Sequence, residues 1–125
     1  MLPKTRWERA AARDDVDDAL LNKCRKKLIE TAAARTNITY GEMAAHLGIA
    51  NQGPWSEILN TIYREEISNQ RPDLTLVLVY TNTKYGRYCS LGSPEQSKRV
   101  DPNNEADVMA YDKERDRVYS YWESK

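Results

Sequence analysis

Asn60 and Arg64 stand four residues apart in the stretch Trp55-Ser56-Glu57-Ile58-Leu59-Asn60-Thr61-Ile62-Tyr63-Arg64, whose apolar residues recur at helical spacing. On a helix, that spacing puts both side chains one turn apart on the same face. An amide and a guanidinium are the side chains best suited to paired hydrogen bonds with base edges. Other reactive groups are few. One histidine, His46, and two cysteines, Cys24 and Cys89, are the whole stock of soft ligands and thiols. A zinc site needs three or four such ligands, so no metal is expected. Cys24 or Cys89 with His46 is the one thiol–imidazole pair available for covalent chemistry. Cys24 falls on an apolar helix stripe, which suits packing, and His46 suits the C-terminal end of a short helix, where it complements the dipole. Cys89 has Arg87 nearby, which favours its thiolate. No glycine-rich loop follows a strand, and Asn51-Gln52-Gly53-Pro54 reads as an ordinary interhelix turn. The expectation is a protein that is not an enzyme and takes no cofactor.

The elements that would position Asn60 and Arg64 are marked by caps and stops. Val16, Leu20, Cys24 and Leu28 repeat every four residues, with aspartates before them and Arg25, Lys26, Lys27 and Arg35 toward the end. This predicts a first helix over 14–35 whose charges complement its dipole. Thr39-Tyr40-Gly41-Glu42 fits a capping box, with Ile38 and Met43 at the staple positions and Gly48 as terminator, so a second helix is expected over 40–47. Pro54 suits a first helical position and Pro72 forces a stop, which places the third helix at 54–69. Leu74–Tyr80 is rich in strand formers, Asn82–Gly86 has turn chemistry, and Arg87–Leu91 reads as a returning strand. Residues 92–104 read as a polar loop. Val108, Tyr111, Val118 and Trp122 then define a closing helix over 103–123. The expected fold class is α+β, a winged-helix-like domain over 14–125, with a β-hairpin wing and a C-terminal helix, preceded by a basic extension over 1–13.

The run Ile38-Thr39-Tyr40-Gly41-Glu42-Met43-Ala44-Ala45-His46-Leu47-Gly48 resembles the helix-turn-helix of the DNA alkyltransferase and alkyltransferase-like family. The resemblance covers residues 38–80 and implies that Tyr40 meets the DNA backbone. It also shows what is missing. The family's reactive cysteine lies in a Pro-Cys-His-Arg motif, and here that stretch reads Leu74-Thr75-Leu76-Val77-Leu78-Val79-Tyr80. No arginine stands near Trp55-Ser56-Glu57, where the family has one, so the resemblance does not extend to alkyl transfer. Across more of the chain, the order of elements and the ending Val118-Tyr119-Ser120-Tyr121-Trp122 resemble small bacterial proteins of winged-helix type without an established activity.

Lys plus Arg equal Asp plus Glu at 19 each, so the whole chain exerts no net pull on a polyanion, and any such contact must be a local patch. Tyr40, Asn60, Arg64, Arg71, Lys84 and Arg87 are the expected contacts to duplex DNA. Glu57, Glu65 and Glu66 are expected on the outward face of the third helix, opposing phosphate contact. The alternative is a protein-interaction module, an adaptor or inhibitor such as those of bacterial or phage conflict systems, with Tyr119 and Tyr121 exposed as a partner surface. No apolar run suits a membrane span or a signal region, so no membrane partner and a cytoplasmic location are expected.

Overall fold

The computed structural model describes residues 17–79, 90–91, 98–101 and 103–125. The expected extension 1–13, the turn at 82–86, Lys84, Arg87 and Cys89 lie outside them. The first helix, α1, spans Asp18–Ala33 and starts at Asp17, whose carboxylate accepts from the Leu20 N–H at 2.9 Å. Cys24, Leu28 and Ala32 are fully buried along its inner face, as their spacing of four requires. The strand β1 (Ile38–Thr39) leads directly into α2 (Tyr40–Leu47). There the capping box is complete. The Glu42 N–H donates to Thr39 Oγ1, and the Thr39 N–H donates to Glu42 Oε1, both at 3.1 Å. Ile38 and Met43, the staple pair, are both buried. The helix α3 spans Trp55–Ser68, and Pro54, expected as its first helical residue, is its N-cap instead.

Three helices end in the same way. Thr36 and Arg35 donate backward to Thr31 and Ala32, Ile49 and Gly48 to Ala44 and Ala45, and Arg71 and Gln70 to Glu66 and Ile67. Each closure needs one residue with a left-handed backbone. Gly48 (φ 74°) adopts it without a side-chain clash, whereas Arg35 (φ 56°) and Gln70 (φ 59°) carry a Cβ into it.

The segment expected to be a strand over 74–80 is different. Leu74–Val77 forms a 3-10 turn, and only Leu78–Val79 is extended as β2. Asp73 is the cause. Its carboxylate accepts from the Thr75 N–H at 3.0 Å and the Thr75 hydroxyl at 2.6 Å, folding the chain locally before a strand can start. The turn lets Leu74, Leu76 and Val77 all be buried, which the alternating faces of a strand resting on one core would not. β2 pairs in parallel with β1, Ile38 opposite Leu78 and Thr39 opposite Val79, so α2 and α3 form the crossover between them. The second strand pair also differs. β3 (Ser90–Leu91) runs antiparallel to β4 (Lys98–Arg99), within the stretch expected to be a loop. The described residues form two separate two-stranded ladders, and the expected hairpin between 74–80 and 87–91 has its turn and most of its returning strand outside them.

The last helix, α4, spans Glu105–Glu123 and is capped by Asn104, whose side chain accepts from the Asp107 N–H at 3.1 Å. It lies along α1 and the 3-10 turn. Its inner aromatic residue, Tyr111, is fully buried, and its hydroxyl donates to the Leu76 carbonyl. A core without phenylalanine thus uses a tyrosine hydroxyl as a donor to a backbone oxygen of the 3-10 turn. The fold is a helix-dominated α+β arrangement around one core, with α1 touching α2, α3, α4 and the 3-10 turn.

Candidate functional site

Residues 40–64 hold the candidate site on α2, the turn after it, and α3. The turn is built tightly. A Cβ at Gly53 would stand 2.7 Å from Ile49 Cδ1 and 3.1 Å from the Ala50 carbonyl, so only glycine fits without local movement. Trp55 ties α3 back to this turn, its indole N–H donating to the Asn51 carbonyl at 2.8 Å. Tyr40, the first residue of α2, meets Trp55 edge to face, with centroids 5.2 Å apart. Two helix beginnings are thereby fixed to each other by one aromatic contact.

On α3, Ile58 and Ile62 face the core, while Ser56, Thr61, Arg64 and Glu65 are exposed and Glu57 and Asn60 half-buried. Asn60 and Arg64 therefore share the outward side of α3. Glu66 does not join them. It was expected outward with Glu57 and Glu65, but its side chain is fully buried. Arg25 Nε from α1 donates to Glu66 Oε1 at 2.8 Å, and Arg71 Nε donates to Oε2 at 2.6 Å. Arg25 also lies 3.3 Å from Glu65 and 5.6 Å from the centre of the Trp122 ring. One carboxylate thus joins α1, α3 and the segment after it, and α4 covers the arginine on top. The signal was present in the spacing, since Ile58, Ile62 and Glu66 recur every four residues on one stripe.

This cluster changes the role of Arg71. Expected as a DNA contact, it is half-buried, and hydrogen bonding to Glu66 holds its pKa above the ordinary arginine value. Its guanidinium is held by the Glu66 carboxylate. Tyr119, expected at the surface, is 8% exposed, and its hydroxyl is hydrogen-bonded to the Asn37 side chain at 2.7 Å. The physical reason is its register, since it follows Val118 and is one turn beyond Arg115, on the side of α4 that meets the end of α1. Tyr121 is half-buried, edge-on to Trp122 at 4.9 Å and beneath the Lys125 ammonium at 4.6 Å. Lys84 and Arg87 lie outside the described residues.

Burial pushes the Cys24 thiol up to about 12, so it is a protonated packing group. His46 is exposed on α2, and these two residues therefore do not form a thiol–imidazole pair. No group of three potential metal ligands occurs among the described residues. None of the described helices is long and apolar enough to cross a membrane. No protein-family model, curated protein or solved structure matches the chain.

Proposed function

We propose that this protein is a non-enzymatic DNA-binding domain of winged-helix type that presents the outward side of α3 to the major groove. The observation that carries this reading is the placement of Asn60 and Arg64 one turn apart on α3, away from the Ile58–Ile62 stripe, with Arg64 exposed and Asn60 half-buried. Their side chains have the donor and acceptor geometry for paired contacts to adenine and guanine. The burial of Glu66 adds support, because it removes one of three carboxylates that would oppose phosphates there. Tyr40 and Trp55 fix the approach of α2 to α3. Lys84 and Arg87 supply the second contact region in this scheme.

Selection from a random duplex library tests base reading directly. The wild type enriches a defined motif, and the Asn60→Ala/Arg64→Ala variant retains DNA binding but loses the motif. Each lost bidentate contact relaxes discrimination at its base pair by about 1–3 kcal/mol. A wild type that enriches no motif overturns base reading through α3.

A second function, as a protein-interaction module, is favoured by one feature. Met109 on α4 is 64% exposed and Ile67 on α3 is 47% exposed, both large apolar side chains left facing water. Binding through such groups tolerates salt, whereas DNA binding weakens steeply as salt rises.

A further inference from the structure

The protein has no net charge, so attraction to a polyanion depends on cations that no carboxylate of the protein neutralises. Among the described residues, ion pairing takes five arginines from that role. Arg25 and Arg71 serve Glu66, Arg35 bridges Asp116 and Glu123, Arg115 pairs with Asp112, and Arg117 pairs with Glu114. Lys23, Lys26 and Lys27 differ. Among the described residues, no carboxylate lies within ion-pair distance of any of them. All three sit within five residues on α1, Lys23 and Lys26 exposed and Lys27 half-buried. They cannot turn inward, because Cys24, Leu28 and Ala32 hold the inner face, and Arg25 occupies the flank toward α3.

We infer that the Lys23–Lys26–Lys27 flank of α1 is a phosphate-backbone contact of this protein, separate from the base-reading face of α3. This inference rests on the DNA-binding reading and moves its electrostatic part to another helix. Division of labour of this kind is physically sensible. Phosphate contacts supply affinity without sequence information, while base contacts discriminate, so the two need not share an element. Lysine suits the first task as a mobile, strongly hydrated point charge, and three lysines within one turn of each other match a line of phosphates better than a single anion.

The test is fluorescence anisotropy with a labelled duplex, using the full chain, over a salt series from 50 to 200 mM. Lys23→Gln/Lys26→Gln/Lys27→Gln removes three charges at surface positions while keeping helix propensity nearly constant, and circular dichroism verifies the fold. If each lysine neutralises one phosphate, the slope of log affinity against log salt falls by about 2.7, so the salt rise costs the wild type ~40-fold more than the variant. The Asn60→Ala/Arg64→Ala variant, run beside it, keeps most of the lysine-dependent slope. A wild type that binds with a slope unchanged by the triple substitution overturns the α1 assignment and leaves the α3 reading standing. A wild type that binds no duplex at 50 mM salt overturns both. Equal loss of salt dependence in both variants overturns the separation of the two surfaces.

Discussion

Replacing Glu66 by glutamine keeps the size of the side chain and removes its charge, leaving Arg25 and Arg71 facing each other across a neutral amide. In the native protein both guanidiniums donate through Nε to opposite oxygens of one fully buried carboxylate. Breaking a buried charge pair by removing one partner costs about 3–5 kcal/mol. The two arginine side chains are 23% and 20% exposed, which lets water compensate in part, so the lower end, about 3 kcal/mol, is the expected loss. With a urea m-value of about 2 kcal/mol/M, the unfolding midpoint falls by about 1.5 M. Glu65 is the internal control. It is next in sequence and 3.3 Å from the same Arg25 Nε, but its side chain is 50% exposed. Glu65→Gln is therefore expected to cost less than about 1 kcal/mol, and that small effect should vanish in high salt. The assay is urea unfolding followed by far-ultraviolet circular dichroism at low and high salt. If the two variants lose equal stability, or if Glu66→Gln shifts the midpoint by less than 0.5 M, burial is not what makes the carboxylate matter, and the account of Arg71 as held by Glu66 fails.

Tyr111→Phe removes a donor to the Leu76 carbonyl in the core, so thermal unfolding should show a loss of about 0.5–1.5 kcal/mol. Gln70→Gly relieves a left-handed backbone at φ 59° on an exposed residue, and chemical denaturation should show a gain of about 0.5–1 kcal/mol after the entropy of the unfolded glycine is counted. A destabilised Gln70→Gly variant would mean that the Gln70 side chain makes a contribution beyond its backbone. Asp73 is pushed up to about 6 from 3.8, first by burial, against the Thr75 hydrogen bonds, with Glu66 and Glu114 adding to the rise. Between those two values the folded state holds the proton more tightly than the unfolded state, so this group's contribution to stability falls as pH rises from about 4 to above 6. Asp73→Asn should flatten that part of the pH–stability curve, as measured by urea midpoints from pH 4 to 8. A curve unchanged by the substitution would refute the assignment.

The helices and their ends were legible in the sequence because their causes are local. The Thr39–Glu42 box, the Ile38–Met43 staple, the stop at Gly48 and the stripe Cys24–Leu28–Ala32 all act within four or five residues along the chain. Hydrogen bonds from i to i−4 and the 3.6-residue period are properties of sequence order, so sequence order displays them. The placement of Asn60 and Arg64 one turn apart on α3 followed from the same period, with Arg64 exposed and Asn60 half-buried. Chain segments far apart in sequence decided the rest. β2 pairs in parallel with β1, forty residues earlier, since α2 and α3 bring Ile38 beside Leu78. Glu66 lay on an apolar stripe where charge argues for the surface, and only the arrival of Arg25, 41 residues away, makes its burial possible. Arg71 was thereby drawn onto Glu66, and Tyr119 was buried once α4 met the end of α1 and Asn37 took up its hydroxyl. A charge or a hydroxyl is buried only where a partner waits for it, and where that partner waits is a fact of tertiary structure.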